Sequence, residues 1–314
     1  MCAYQRYTGT GRQAATEAVA LLTPGAPLIP AAKRAQRLLE TELLHWVLET
    51  HRAFTQYPLG LVSVVPSPDG IRLRLESRKR AEDLLTGLLP CWEPDRQVHG
   101  VSGLRIRRRT EAGLELHRLG AETSIWLTGC SAGAFANAER TLRQRLNELG
   151  WEATWTSKDW TAAEQRWEAD LQPLILMPSI RKASWLASGL LRRVGLLHTV
   201  TVPQVVTGYR GWSGDTWVLK LDFLRSDGFL LQEFVDALTD PTDGLPLEPD
   251  RHRVLVPDKH VGRMFLKGGG GTAALEVRYD QFDYPSLRAE TEVFAAIEQR
   301  VTRVRTEHES AARA

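Results

Sequence analysis

The chain has 314 residues, of which 43% are hydrophobic and 25% charged, a balance that is typical of folded proteins and excludes long disorder or a fibrous design. Its net charge of +2 is too small by itself to indicate a nucleic-acid or membrane partner. At roughly 150 residues per domain, the length predicts two domains.

The first 30 residues are predicted to form an N-terminal segment and a linker. Three prolines and one glycine lie between residues 23 and 30, and these residues do not suit a helix interior. From Ala35 onward, apolar side chains recur at helical spacing with charged residues on the other faces. This pattern predicts an amphipathic helix over residues 31–55.

The rest of the first half, residues 31–150, is predicted to alternate strands and helices. The apolar period changes at Leu59 to one typical of strands, while Ser77 and Gly150 are suited to begin and to end helices. The predicted elements are a hairpin of residues 61–65 and 71–75, a helix of residues 77–90, a hairpin of residues 104–108 and 114–119, a candidate strand at 124–127 and a helix that ends at 150.

The second half, residues 181–306, is predicted to repeat this order before a C-terminal tail of residues 307–314. Residues 93–96 and 248–251 share the tetrapeptide Glu-Pro-Asp-Arg, and with the element order this identity indicates a duplication. The predicted elements are a helix around residues 185–194, strands at 199–206 and 217–223, a helix capped by Asp227, a hairpin of residues 264–267 and 274–279 turned by 268–271, and a closing helix of residues 286–301.

We therefore expect an α+β protein made of two tandem pseudo-repeats. Each repeat would form a four-stranded antiparallel sheet with helices on one face, in the order helix, hairpin, helix, hairpin, helix. Residues 151–180 connect the repeats and contain four tryptophans. Their rings are interpreted as holding the two halves together, with stacking on nucleic-acid bases as the alternative.

The best functional indication is a set of cations on predicted strand faces. Side chains alternate along a strand, so the neighbours of inward aliphatic residues point away from the helices. Guanidinium groups in such positions can donate to phosphate oxygens. The candidate nucleic-acid-binding residues are Arg72, Arg74, Arg105, Arg107, Arg109, Lys220 and Lys267, with His117, Arg263 and Arg278 nearby. The alternative is an ordinary solvated face, because carboxylates dilute the patch: Glu76, Glu115, Asp222 and Glu276.

No catalytic, metal or cofactor motif is complete. Four glycines at 268–271 follow Lys267, but they lie between two predicted strands, whereas a P-loop lies between a strand and a helix. Asp215, Asp222 and Asp227 could hold a divalent ion as in metal-dependent nucleases. That enzyme remains the least favoured alternative, and no cofactor is expected.

The cysteines indicate a reducing compartment. Cys2, Cys91 and Cys130 are odd in number and far apart, so neither a disulfide framework nor a zinc knuckle is predicted. The first 20 residues lack the apolar core of a signal peptide, and no apolar run reaches membrane-spanning length. We expect a cytoplasmic protein with no membrane partner.

The predicted order of elements resembles that of LAGLIDADG homing endonucleases, which repeat the same order twice and lay their sheets on DNA. Their leading helices end in a signature that supplies metal ligands. Here those helices end in residues 56–60 (Gln-Tyr-Pro-Leu-Gly) and 195–198 (Gly-Leu-Leu-His). The resemblance therefore implies sheets that face nucleic acid without that family's cleavage chemistry.

Two functions follow from these patterns. The first is non-enzymatic binding of DNA or RNA through the arginine-bearing sheet faces. The second is a protein-protein adaptor or subunit that docks through the same sheets or through the tryptophan-rich connector, which a near-neutral charge and ten tryptophans favour.

Overall fold

The structure is a computed structural model that describes residues 3–50, 55–94, 97–175, 178–201, 203, 205–211, 215–223, 231–250, 261–271, 273–281, 299, 302–303 and 306. Within these residues the fold is mixed α+β, with two five-stranded sheets and one three-stranded sheet. In the first five-stranded sheet, the aliphatic side chains that face the helices are almost fully buried.

The N-terminal segment is helical and packs on the second half of the chain. Helix α1 (Ala3–Thr8) precedes α2 (Arg12–Ala20), neither of which was predicted. The Tyr7 hydroxyl donates to the Ala237 carbonyl at 2.9 Å, and the Gly195 amide donates to the Tyr7 carbonyl at 2.9 Å. This segment therefore ties the beginning of the chain to residues about two hundred positions away in sequence.

Local sequence patterns predicted most helices and strands of the first half correctly. The Ser77 hydroxyl accepts from the Arg80 amide at 3.1 Å, and Gly150 ends a helix at φ 71°, both as predicted from capping. The elements are α3 (Arg34–Glu49), β1 (Leu61–Ser67), β2 (Gly70–Leu75), α4 (Arg78–Leu88), β3 (Cys91–Trp92), β4 (Val98–His99), β5 (Leu104–Thr110), β6 (Gly113–Arg118), β7 (Ser124–Thr128) and α5 (Ala132–Leu149).

The first sheet has five strands rather than four, in the order β1-β2-β7-β6-β5. Strand β7 lies in the centre, parallel to β2 and antiparallel to β6. The prediction of a purely antiparallel four-stranded sheet is therefore wrong. Ile125 and Leu127 of β7 are fully buried, and a central position removes this apolar surface from water while pairing both edges of the strand.

The connector begins with β8 (Glu152–Ala153) and continues into α6 (Ala162–Ile175). Strand β8 completes the three-stranded sheet β4-β3-β8, whose other strands belong to the first half. The start of the connector is thus part of the first half.

The second half forms a sheet of the order β11-β12-β13-β10-β9, in which β10 and β13 are parallel. Its strand at 199–206 was placed too early, because residues 196–199 are helical, and β11 was not predicted. Glycines 269–271 turn between two strands as predicted. The elements are α7 (Pro178–Arg192), α8 (Leu196–Thr199), β9 (Val205–Arg210), β10 (Thr216–Phe223), α9 (Leu231–Leu238), β11 (Leu247–Pro249), β12 (Val261–Gly268) and β13 (Ala274–Gln281).

Three sequence-based expectations fall outside the described residues: the cap by Asp227, nearly all of the closing helix at 286–301, and the C-terminal tail of residues 307–314. The shared tetrapeptide does not mark equivalent positions. Glu93 follows β3 of the small sheet, whereas Glu248 lies in β11 of a large sheet.

The two halves meet where α3 packs against α7. Glu40 of α3 is 0% exposed and Arg192 of α7 is 1% exposed, with Arg192 Nη2 2.6 Å from Glu40 Oε1. The same guanidinium donates to the carbonyls of Pro30 at 2.6 Å and Ser67 at 2.8 Å. A buried, fully hydrogen-bonded ion pair therefore fixes the two leading helices to each other.

Candidate functional site

The open face of the first sheet, opposite the helices, carries exposed arginines on β2. Ile71, Leu73 and Leu75 are buried, while Arg72 and Arg74 between them are exposed, as strand alternation predicts. Neither arginine has an ion-pair partner among the residues that the structure describes. Two cations of the candidate set are therefore available to a ligand.

A β-bulge changes which arginines of β5 reach this face. Ile106 pairs with Leu116 and Arg108 pairs with Glu115, so Arg107 is the extra residue. A bulge reverses the alternation beyond it. Arg108, which parity had directed inward, lies in register with the open-face residues, and Arg107 is exposed beside it.

Arg109 is turned away from the open face by the same bulge. It pairs with Leu114 in the sheet and forms an ion pair with Glu139 of α5, a helix that packs on the opposite side. The prediction that Arg109 points away from the helices is therefore wrong.

Arg105 is also lost to the open face, because the connector covers it. Its side chain is 4% exposed and donates to both carboxylate oxygens of Glu164, at 2.9 and 2.8 Å. It also donates to the carbonyls of Ser157 at 2.7 Å and Asp159 at 2.8 Å. Arg105 lies on the predicted side of the sheet, where it is the register partner of His117. The prediction that its guanidinium is exposed to a ligand is wrong, because the residue anchors the connector instead.

Trp126 of β7 lies at the centre of the open face, and sequence reasoning missed it as a site residue. Its neighbours Ile125 and Leu127 are buried, whereas Trp126 is half-buried. Arg72 is its register partner on one side and Glu115 its partner on the other. The Arg108 guanidinium carbon is 5.7 Å from the ring centroid. Alternation with two apolar residues was the available signal for an outward indole.

Glu115 is a carboxylate on this face, and it is buried. Arg107 Nη1 and Arg108 Nε each lie 3.5 Å from one of its oxygens, and the Ser124 hydroxyl donates to Oε1 at 3.1 Å. One buried carboxylate thus faces two arginines. Nearby, burial and then the positive charge of Arg107 lower the pKa of His117, so this histidine is mainly neutral at pH 7.

The corresponding face of the second sheet has its cations neutralised. Arg278 Nε lies 2.6 Å from Glu276 Oε1, and Arg263 lies 3.8 Å from the same oxygen. Lys220 is 3.4 Å from Asp222. Lys267 is 2.8 Å from Asp250. The structure therefore does not bring Lys220 and Lys267 together with the first-half arginines in one unpaired cluster.

Three of the four connector tryptophans contact the first half. Trp155 is buried and donates to Glu139 Oε1 at 3.3 Å. Trp151 stacks on His99 with ring centroids 4.5 Å apart. The Trp160 ring lies so close to Gly103 that a Cβ there would come within 2.5 Å of it. These three contacts lie within the first half, so they do not support the expectation that the rings join the two halves.

No group of three histidine, cysteine or acidic residues that could hold a metal ion occurs among the described residues. Asp222 and Asp280 are register partners on parallel strands, and Asp227 lies outside the described part of the chain. A search of the described residues finds no helix of the length and hydrophobicity needed to cross a membrane. Comparison of the chain with family models, curated proteins and solved structures finds no match.

Proposed function

We propose that this protein binds nucleic acid through the open face of its first sheet, without catalysing a reaction on it. The observation that carries the proposal is the pair of exposed arginines, Arg72 and Arg74, which have no ion-pair partner within the described residues. Arg107 and Arg108 lie across the sheet from them and share a single carboxylate. Four arginines and one buried carboxylate therefore lie on the same face of the described part of the sheet.

Charge of this kind favours a phosphate backbone. Each guanidinium offers a planar fork of donors that matches phosphate oxygens, and each neutralised phosphate releases counterions, so affinity falls with salt. Contacts from four arginines correspond to a slope of about −3 for log affinity against log salt on a single strand. The second sheet supports no comparable contribution, because each of its four candidate cations lies within 3.8 Å of a carboxylate.

The salt dependence of binding tests this function. Fluorescence anisotropy of a labelled oligothymidylate and of a labelled duplex would be measured across a salt series. We expect Arg72→Ala and Arg74→Ala each to flatten the slope by about one unit or slightly less. Arg145→Ala is the matched control, since Arg145 is exposed on α5 on the helical side of the sheet. Absence of binding to both probes in low salt would refute the proposal.

We further propose that the two halves are diverged copies of one unit. Both large sheets have five strands, and in each sheet the second and fifth of those strands, counted along the chain, pair in parallel: β2 with β7 and β10 with β13. Each sheet is also preceded by one of the two helices that pack together, α3 and α7. The first copy would then have kept its exposed cations, while the second acquired paired ones.

A further inference from the structure

We infer that the nucleic acid bound by this face is single-stranded and that one of its bases stacks on Trp126. The inference rests on the proposed function and adds the class of ligand to it. The Trp126 indole lies in the middle of the open face, with Arg72 on one side and Arg108 on the other.

The sheet geometry places one cation on each side of the Trp126 indole. Adjacent strands are about 4.8 Å apart, so Arg72 is a direct neighbour of Trp126 on β2. Arg108 approaches from the other side, with its guanidinium carbon 5.7 Å from the ring centroid. A base on the indole would therefore have phosphate-binding groups on both sides.

A duplex would not use the indole. The bases of a duplex are stacked and paired inside the helix, so their faces are not open to the indole, whereas unpaired bases can stack on aromatic side chains. Duplex binding would explain Arg72 and Arg74 but not a half-buried tryptophan between arginines. Single-strand binding accounts for both observations.

Arg108 can change its contact when a base arrives. Its interactions in the structure are a cation-π contact with Trp126 and an ion pair with Glu115 at 3.5 Å. Stacking of a base on an indole is stronger than an exposed cation-π contact. A base that displaces the guanidinium from the ring therefore leaves Arg108 available to a neighbouring phosphate.

The test compares three labelled probes at one low salt concentration: an oligothymidylate, a duplex of the same length, and an abasic oligonucleotide with the same number of phosphates. We expect the wild-type protein to bind the oligothymidylate most tightly. We expect Trp126→Ala to lose about 5- to 150-fold in affinity for it, with an unchanged salt slope. Trp126→Phe should retain most of the affinity, because a phenyl ring also stacks.

The abasic probe separates this inference from the proposed function. It keeps every phosphate and lacks the bases, so wild type and Trp126→Ala should bind it equally. If wild type binds the abasic probe or the duplex as tightly as the oligothymidylate, the stacking inference is overturned while phosphate binding stands. If none of the probes binds, both proposals fail. The comparison of probes on wild-type protein decides the question even if Trp126→Ala does not fold.

Discussion

The four arginines of β5 have three different roles. Arg105 is buried against Glu164, Arg109 binds a helix, and Arg107 and Arg108 lie at the open face. What separates them is the carboxylate each meets and the bulge between Ile106 and Arg108. A guanidinium in a sequence is therefore a candidate for ligand binding only after its internal partners are known.

Replacement of Arg105 tests its structural role. Arg105→Met leaves Glu164, which is 0% exposed, as an uncompensated buried charge, so we expect a loss of about 3–5 kcal/mol in the free energy of unfolding. Denaturant unfolding followed by circular dichroism measures it. Arg78→Met is the control, because the Arg78 side chain is 57% exposed and its ion pair with Glu82 on the surface of α4 is worth below about 1 kcal/mol. A stable Arg105→Met protein with a flatter salt slope would instead make Arg105 a phosphate contact.

The ion pair between Arg105 and Glu164 also predicts that the free energy of unfolding depends on pH. Burial raises the pKa of Glu164, but hydrogen bonds from Arg105, Thr161 and Gly103 outweigh burial and leave the pKa below its usual range. A carboxyl group with a lowered pKa contributes stability that is fully present above its unfolded value of about 4.3 and is lost as the pH falls through the folded value.

We therefore expect Glu164→Gln to be less stable than wild type at neutral pH, and the difference to shrink below about pH 4. Urea unfolding of both proteins across this range measures the difference. A constant difference at every pH would contradict the assignment.

At the scale of elements, the centre of the first sheet depends on a glycine at the start of β6. Gly113 has φ 149°, and a Cβ there would lie 2.2 Å from the Leu127 carbonyl oxygen of β7. That oxygen belongs to the neighbouring backbone, so it cannot move away without disturbing the pairing of the two strands.

We expect Gly113→Ala to destabilise the protein by about 2–3 kcal/mol, from backbone strain and the clash together. Gly120→Ala is the matched control, since Gly120 also has a positive φ, 72°, but nothing lies within 4 Å of its Cβ position. In Gly120→Ala, backbone strain alone should lower the free energy of unfolding by about 1 kcal/mol. Thermal unfolding compares the two, and equal losses would show that β7 accommodates the extra methyl group.

Elements whose signals are local could be predicted from the sequence. The β1-β2 hairpin, the Ser77 cap and the Gly150 cap depend on residues within one element, and Arg72 and Arg74 were placed correctly because β2 is regular. The prediction of the exposed arginines was wrong at β5. The bulge there depends on pairing with β6, and the burial of Arg105 depends on Glu164, 59 residues away in sequence. Central β7 was only a candidate strand, since its partner β2 lies about fifty residues earlier.

At the scale of the whole molecule, the two large sheets differ in whether the cations on their faces are paired with carboxylates. The net charge of the chain is only +2, yet within the described residues one sheet face carries Arg72, Arg74, Arg107 and Arg108 with the carboxylate of Glu115, whereas the candidate cations of the other sheet all have acidic neighbours. On the proposed function, nucleic acid would therefore bind only the first half. The second half would contact the first through the packing of α7 on α3.

The buried ion pair between Arg192 and Glu40 lies at the contact of α3 with α7, and substitutions test its contribution to stability. Arg192→Met leaves Glu40 buried without its partner, which should cost about 3–5 kcal/mol, whereas Arg192→Met combined with Glu40→Leu should restore most of the loss, because apolar side chains can replace a buried ion pair. Tryptophan fluorescence during denaturation measures both variants. Lys79→Ala, which removes an exposed pair with Asp83, should change stability by about 0.5 kcal/mol or less. A double variant as unstable as the single one would show that the hydrogen bonds of Arg192 to Pro30 and Ser67, rather than its charge pairing with Glu40, hold the halves together.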